Sequence, residues 1–169
     1  MTERDMTLLQ DWQGQSVVGM LASEKLDGCR AYWDGQTLWT RGGKVIALPR
    51  ITSQLPKGVH LDGEVWAGRG GFSTARVAVQ FGKDAPSVRF VAFDAPQAVG
   101  TWTQRMDAAK AVWSDCVDYW SVDCVDALAA RLAEIQSSGG EGIVLRKQSI
   151  ANYEKGRTFN ALKVFNVGR

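Results

Sequence analysis

Short runs of β-branched and aromatic residues, separated by turn residues, dominate the first half of the chain. Such runs are typical of strands in an antiparallel sheet. The dipeptide Asp34-Gly35 between two of them is typical of a hairpin turn. The strands predicted in this half cover residues 17–24, 29–33, 37–41 and 59–66.

The second half alternates between helical and strand-like patterns. A continuous apolar run predicts one buried strand, and two polar segments with apolar periodicity predict the longer helices. The predicted elements are helices over residues 72–81, 103–113 and 122–136 and strands over residues 88–93, 142–146 and 160–165. Together the two halves predict an α+β domain in which helices pack on antiparallel sheets.

Composition fits one globular domain that spans residues 1–169, because 45% of the residues are hydrophobic and 22% are charged. Apolar stretches stay well below the roughly 20 residues that a transmembrane helix needs. The first residues, MTERDM, lack the features of a secretory signal. We therefore expect a cytoplasmic protein that does not bind membranes.

Cysteine and histidine content argues against a zinc site or a disulfide framework. Cys29, Cys116 and Cys124 form no C-x-x-C pair, and His60 is the only histidine. The net charge of +2 and the pI near 8.5 make the chain mildly basic. This charge permits a nucleic-acid partner but does not identify one.

A lysine stands where one predicted strand ends and the next begins, in the segment EKLDGCR at residues 24–30. An ordinary lysine with a pKa of about 10.4 is neutral in only about one molecule per thousand near pH 7.5. A nucleophilic lysine therefore needs burial or neighbouring cations. By itself this segment fits a surface hairpin with a solvated lysine equally well.

Four later segments change this interpretation. They are LDGEVW at residues 61–66, FVAFD at 90–94, EGIVLR at 141–146 and ALKV at 161–164. In this order and spacing, the set resembles the covalent nucleotidyltransferase superfamily of DNA ligases, RNA ligases and mRNA capping enzymes. The resemblance extends over residues 25–165 and implies the nucleotidyltransferase fold of ligase adenylation domains, which is described as ATP-grasp-like.

The resemblance implies a role for each matching residue. Lys25 corresponds to the nucleophile that attacks the α-phosphate and forms lysyl-AMP. Phe93 corresponds to the aromatic residue that stacks on adenine, although a core position in its strand is an alternative. The remaining implied nucleotide contacts are Glu64 with the ribose, Lys163 with the α-phosphate, and Arg30 and Glu24 with other parts of the nucleotide.

The implied metal ligands are Glu64 and Glu141. Because carboxylate and phosphate oxygens are the candidate ligands, we expect Mg²⁺ or Mn²⁺. Its role would be to neutralise charge at the reacting phosphate.

Within the superfamily, KLDGCRAYWDG at residues 25–35 followed by TRGG at 40–43 resembles small bacterial and viral ATP-dependent DNA ligases. RNA ligases more often have asparagine where Arg30 stands, whereas capping enzymes share the arginine. NAD-dependent ligases carry an additional N-terminal domain, and only 24 residues precede Lys25. ATP is therefore the expected nucleotide donor.

Three features depart from the family pattern. The chain ends at Arg169, so we expect the usual C-terminal OB-fold domain to be absent, through natural minimalism or truncation. The usual Lys-x-Lys is replaced by Lys163-Val164-Phe165. Ser23 stands where an acid is common, and the adjacent Glu24 points to the opposite face of a strand. Without the OB-fold domain, we expect slow reaction with ATP but relatively preserved sealing of a pre-adenylated nick.

The expected partner is nicked double-stranded DNA. We expect the protein to be a monomer, and a separate partner protein that clamps the DNA is an alternative source of the missing DNA contacts. Because phosphate contacts are expected to dominate, affinity should fall steeply with salt. The candidate DNA contacts are Arg41, Lys44, Arg50, Lys155, Arg157 and Arg169.

Some positions keep a simpler interpretation. Arg41 also fits an exposed hairpin. Arg146 and Lys147 fit a solvated strand end, and among the tryptophans only Trp33 and Trp66 are candidates to line the nucleotide pocket. Two other functions stay open: a non-catalytic binding remnant of a ligase, and an RNA ligase or capping-type nucleotidyltransferase.

Overall fold

The computed structural model describes residues 5–168, which form two β-sheets flanked by helices. Its strands are β1 (Thr7–Asp11), β2 (Met20–Lys25), β3 (Cys29–Trp33), β4 (Leu38–Thr40), β5 (Leu61–Trp66), β6 (Arg89–Asp94), β7 (Tyr119–Val122), β8 (Gly142–Lys147) and β9 (Gly156–Val164). Its helices are α1 (Pro49–Thr52), α2 (Phe72–Phe81), α3 (Trp102–Val112) and α4 (Val125–Ser137). The α+β prediction is confirmed.

One sheet has five strands in the order β1-β9-β8-β2-β7, and the other has four in the order β4-β3-β5-β6. Strand pairs within both sheets are antiparallel, except that β1 pairs with β9 in parallel. The prediction of antiparallel sheets is therefore confirmed, and the β1–β9 edge is the one parallel pair within the named strands of the described residues. The β1–β9 pair joins segments that are about 150 residues apart in the chain.

The hairpin between β3 and β4 forms as predicted. The Asp34 carboxylate accepts hydrogen bonds from the backbone N–H groups of Gln36 at 2.9 Å and Thr37 at 2.7 Å. Gly35 has a φ of 89°, a conformation that favours glycine. These bonds account for the turn chemistry of the Asp-Gly pair.

Three apolar clusters hold the layers together. The four-stranded sheet packs on α2, which contributes Ala75 and Ala78, and the five-stranded sheet packs on α4, which contributes Leu128 and Leu132. The third cluster joins the two sheets. It contains Leu21 of β2, Val91 of β6, Trp102 and Met106 of α3, and Val117.

Several predicted boundaries need correction. Helix α4 begins at Val125 rather than residue 122, because Cys124 is its N-cap and its Sγ accepts from the N–H of Ala127 at 3.4 Å. Val122 instead ends β7. Strands β1 and β7 and the short helix α1 were not predicted. No helix within residues 5–168 is long and apolar enough to cross a membrane.

Candidate active site

A cleft of about 630 Å³ between the two sheets collects nearly all the residues that the motifs single out. Its lining draws on β2, β8 and β9 of one sheet and on β3, β5 and β6 of the other. The predicted site residues on its wall or rim are Glu24, Lys25, Arg30, Arg41, Lys44, Glu64, Phe93, Arg157 and Lys163. The fold thus brings together segments that span almost the whole sequence.

Lys25 ends β2 and points its amine into this cleft. Its Nζ lies 3.3 and 3.2 Å from the two carboxylate oxygens of Glu141, and 5.5 Å from the ring centroid of Phe165. The Lys25 side chain is only 25% exposed. Lys25 is therefore a cleft residue with a carboxylate partner, not the tip of a solvated hairpin.

The turn after Lys25 is fastened to β5. The Asp27 carboxylate accepts from Trp66 Nε1 at 2.8 Å and from the N–H of Gly70 at 3.1 Å. A Cβ at Gly28 would overlap the backbone carbonyl oxygen of Val65, so this position has room only for glycine. The Asp-Gly pair thus fixes the direction in which the chain leaves Lys25.

Glu64 lies in β5, where one of its oxygens accepts from the N–H of Gly28 at 3.2 Å. Burial raises the pKa of Glu64 to about 7, although the nearby charges of Arg30 and Lys25 favour its ionised form. This carboxyl group would gain from a cation or a hydrogen-bond donor that binds in the cleft. Its chemistry is suited to a ribose hydroxyl or a metal ion.

Arg30 is held by a buried network. Its Nε and Nη2 donate to the two oxygens of Asp62 at 2.7 and 2.6 Å, and Nη2 also donates to the carbonyl of Thr7 at 3.0 Å. The Tyr153 hydroxyl donates to Asp62 at 2.6 Å and accepts from the N–H of Thr7 at 2.8 Å. Asp62 is completely buried. The network fixes the guanidinium plane at the cleft wall.

Phe93 presents a half-buried ring to the cleft. The guanidinium carbons of Arg30 and Arg146 lie 5.0 and 5.6 Å from its centroid. The Phe93 carbonyl accepts from Trp102 Nε1 at 2.8 Å, which ties β6 to α3. Phe93 is therefore partly packed in the core and still open to a ligand in the cleft.

Arg146 is where the sequence interpretation is wrong. It is not a solvated strand end, because its guanidinium lies 4.4 Å from the Trp102 ring and donates to Ser23 Oγ at 2.8 Å inside the cleft. In the structure, residues 144 and 146 share a face of β8, and both Val144 and Arg146 line the cleft. Lys147 is exposed, as predicted.

Two tryptophans do not lie where the sequence suggested. Trp33 is in the core of the four-stranded sheet, where its Nε1 donates to the carbonyl of Pro56 at 2.8 Å. Trp66 stacks against Arg89 and borders a separate hollow of about 420 Å³. Neither lines the main cleft.

Three charged residues at the edge of the cleft already have partners within the protein. The Glu24 carboxylate borders the cleft but receives two hydrogen bonds from Arg69, at 2.9 and 3.0 Å. Lys163 Nζ lies 3.7 Å from Asp11 Oδ1 of the neighbouring β1. Arg157 is exposed and donates to the carbonyl of Leu9 at 2.7 Å.

The remaining DNA-contact candidates lie elsewhere. Arg50 is away from the cleft and donates to Asp84 and to the carbonyls of Ala85 and Val88. Lys155 is exposed but does not line the cleft. Arg169 lies outside the described residues.

Residues 5–168 contain no group of three or more histidine, cysteine or acidic residues that could hold a metal ion. The carboxylates of Glu64 and Glu141 can therefore supply only part of a coordination shell. Such a partial set suits Mg²⁺, which is usually bound by one or two carboxylates together with substrate phosphates and water.

Comparisons with known proteins agree with this geometry. The DNA ligase of Haemophilus influenzae is 30% identical over 95% of this chain, and the chain spans 63% of that protein. A solved Lig E DNA ligase, studied for DNA binding with a minimal scaffold, is 32% identical with a TM-score of 0.84, covering 95% of this chain and 68% of its own.

A more distant likeness extends to the Chlorella virus DNA ligase-adenylate. It shares 20% identity and a TM-score of 0.76, covering 97% of this chain and 68% of its own, and so supports the fold. No protein-family model matches the chain.

Proposed function

The chain belongs to the DNA ligase family, and from this premise we propose that it is an ATP-dependent DNA ligase. Its reaction would join a 3′-hydroxyl to a 5′-phosphate at a nick in double-stranded DNA. The chain spans only 63% of its Haemophilus influenzae relative, so the complete ligase activity is proposed for it from the site that it contains.

The observation that carries the proposal is the position of the Lys25 amine. It lies inside a cleft whose other walls offer an aromatic ring at Phe93, a carboxyl group at Glu64 and cations at Arg30 and Lys163. A nucleotide has a base, a ribose and phosphates that match these groups in kind. The cleft volume of about 630 Å³ is ample for a nucleotide.

In the first step, neutral Lys25 Nζ attacks the α-phosphorus of ATP. A P–N bond forms, the bond to the bridging oxygen breaks, and pyrophosphate leaves. Before the attack, the ammonium must lose a proton. The Glu141 carboxylate, 3.2 Å from Nζ, is placed to accept it and also holds the amine in position.

The second and third steps transfer AMP to DNA and then release it. A 5′-phosphate oxygen attacks the lysyl-AMP phosphorus, the P–N bond breaks as Lys25 Nζ takes up a proton, and a DNA-adenylate forms. The 3′-hydroxyl then attacks the 5′-phosphorus, the proton of the hydroxyl is lost, and AMP leaves. Arg30 is suited to hold phosphate oxygens through these steps, because Asp62 fixes its guanidinium.

Glu64 and Glu141 would hold Mg²⁺ or Mn²⁺ together with phosphate oxygens, and the ion would neutralise charge at the reacting phosphate. For DNA, the rim residues Arg41, Lys44 and Arg157 supply positive charge near the mouth of the cleft. Their contribution predicts a steep decrease of nick affinity with salt. The expectations of no OB-fold domain, a monomer and a separate clamping partner stay predictions.

The test is incubation with α-labelled ATP and Mg²⁺, denaturing electrophoresis, and addition of a nicked duplex. Label should attach to the wild type and to Lys83→Ala, an exposed lysine away from the cleft, but not to Lys25→Ala. Addition of nicked DNA should discharge the label as the nick is sealed. A wild type that takes no label and cannot seal a pre-adenylated nick would refute the proposal.

Parallel samples test whether the protein prefers the substrates of a capping enzyme or an RNA ligase. α-labelled GTP and a nicked RNA duplex should give less labelling and less sealing, respectively, than ATP and DNA. Preference for GTP or RNA would instead assign the cleft to a capping-type enzyme or an RNA ligase. Single-turnover rates of charging and of sealing a pre-adenylated nick test the expectation that charging is the slower step.

A further inference from the structure

Arg69 does not line the main cleft, yet it holds the residue next to the proposed nucleophile. It belongs to the loop at residues 67–71, which joins β5 to α2. Its Nε and Nη2 donate to the two oxygens of Glu24 at 2.9 and 3.0 Å. A guanidinium that makes two parallel hydrogen bonds fixes the direction of a carboxylate as well as its distance. The reaction proposed above gives Arg69 no role.

The same loop also holds the turn that follows Lys25. The N–H of Gly70 donates to one oxygen of Asp27 at 3.1 Å, and the other oxygen accepts from Trp66 Nε1 at 2.8 Å. The loop is therefore bonded to the chain one residue before Lys25, at Glu24, and two residues after it. Contacts on both sides of one residue restrict the direction in which its side chain can point.

Glu24 also packs against the turn that leads to Glu141, the carboxylate partner of Lys25. A Cβ added to Gly140 would lie only 2.9 Å from Glu24 Oε1, so the backbone of this turn rests directly on the carboxylate. The next residue along the chain is Glu141. The ion pair between Glu24 and Arg69 thus touches both segments that form the contact between Lys25 and Glu141.

Strand alternation separates the roles of the two neighbours at the end of β2. Adjacent residues of a strand point to opposite faces, and Lys25 lines the cleft. Glu24 reaches the rim of the cleft, but it also borders the separate hollow of about 420 Å³ together with Arg69. Both oxygens of Glu24 accept hydrogen bonds from Arg69, so a direct contact with a nucleotide would have to compete with this pair.

We propose that Arg69 is a positioning residue for lysyl-AMP formation. Through Glu24, it holds Lys25 and its carboxylate partner in the arrangement that attack on the α-phosphorus requires. This inference rests on the proposed ATP-dependent reaction, and it makes Glu24 an anchor of the nucleophile instead of a nucleotide contact. A displacement of about 1 Å at a reacting group can cost about 100-fold in rate, so a pair at the edge of the cleft can control this step.

The test separates the rate of lysyl-AMP formation from the binding of ATP. Single-turnover measurements with α-labelled ATP and Mg²⁺ give the maximum rate and the ATP concentration at half of that rate. Arg69→Gln and Glu24→Gln should each lower the maximum rate about 10- to 100-fold. The half-maximal ATP concentration should change less than about 3-fold, because neither side chain binds ATP in this proposal.

A double variant tests whether the two residues act as one unit. Glu24→Gln combined with Arg69→Gln should be slower than either single variant by no more than about 3-fold, because each substitution already breaks the same contact. Arg131→Gln is the matched control, since Arg131 pairs with Glu134 and both border the same hollow but not the cleft. The control should form lysyl-AMP within about 2-fold of the wild-type rate.

The outcomes separate this inference from the proposed function. If Glu24→Gln raises the half-maximal ATP concentration about 10-fold at an unchanged maximum rate, Glu24 binds the nucleotide and the inference is refuted. Wild-type rates in both single variants, or additive losses in the double variant, also refute it while the ligase proposal stands. If wild type forms no lysyl-AMP and seals no pre-adenylated nick, the proposed function itself is refuted. If Arg69→Gln does not fold, Glu24→Gln breaks the same pair with almost no change of side-chain shape and still decides.

Discussion

Removal of the Tyr153 hydroxyl tests the buried network that holds Arg30. In Tyr153→Phe, Asp62 loses a hydrogen bond of 2.6 Å and the N–H of Thr7 loses its acceptor at 2.8 Å. Burial raises the pKa of Tyr153 far above its usual range, so the hydroxyl remains protonated and donates to Asp62 throughout the range of stability experiments. The substitution removes one oxygen and leaves the ring in place.

The magnitude follows from the partners. A hydrogen bond to a charged group contributes about 1.5–3 kcal/mol, and an unpaired amide costs about 1 kcal/mol or more. Arg30 still makes two hydrogen bonds to Asp62, so the carboxylate keeps its counter-charge. Together the two losses lead us to expect that Tyr153→Phe reduces the free energy of unfolding by about 2.5–4 kcal/mol.

Urea unfolding followed by tryptophan fluorescence measures this loss as a lower midpoint with an unchanged slope. Tyr119→Phe is the matched control, because the Tyr119 hydroxyl makes no hydrogen bond within the described residues. It should change stability by less than about 0.5 kcal/mol. Equal, small effects of both substitutions would refute the claim that Tyr153 supports Asp62 and Arg30.

Three further predictions follow from other contacts. Arg105→Met leaves the buried Asp94 without its counter-ion and should cost about 3–5 kcal/mol in urea unfolding. Burial raises the pKa of Glu64 from 4.5 to about 7, so the stability that its bound proton provides is complete below pH 4.5 and is lost as the pH rises through 7. In metal-free buffer, wild type should therefore lose about 2–3 kcal/mol between pH 5 and 8 relative to Glu64→Gln; a constant difference would contradict this. Gly28→Ala forces a Cβ against the Val65 carbonyl and should cost about 1–3 kcal/mol, together with loss of Lys25 labelling.

The parts of the fold that were predicted are those in which a local pattern determines the outcome. The hairpin at Asp34-Gly35 and helix α2 depend on neighbouring residues, and both form as expected. The motif residues share one cleft because the family pattern encodes their order, although spacing alone does not give their distances. The Lys25–Glu141 contact, between residues 116 positions apart, is of this kind.

The parts that were missed depend on distant segments. Strand β1, with the sequence TLLQD, is mostly half-buried and gains its hydrogen bonds only by pairing with β9. Arg146 looked like an ordinary strand end because its charge favours solvent. Its position in the cleft follows from Trp102, Phe93 and Ser23, which come from three separate elements. No local pattern in the sequence predicts a contact between residues of such distant segments.

The parallel pairing of β1 with β9 has a consequence for biosynthesis. Residues 7–11 leave the ribosome before their partner strand at residues 156–164, which follows only after about 145 more residues have been made. Closing so long a loop is slow and entropically costly. The carbonyl of Thr7 meets Arg30, and the carboxylate of Asp11 meets Lys163, only when this edge assembles. The apolar cluster of the five-stranded sheet also needs Leu162 and Val164 of β9, so a nascent chain would complete this layer and its reactive cleft together, only after β9 has been made.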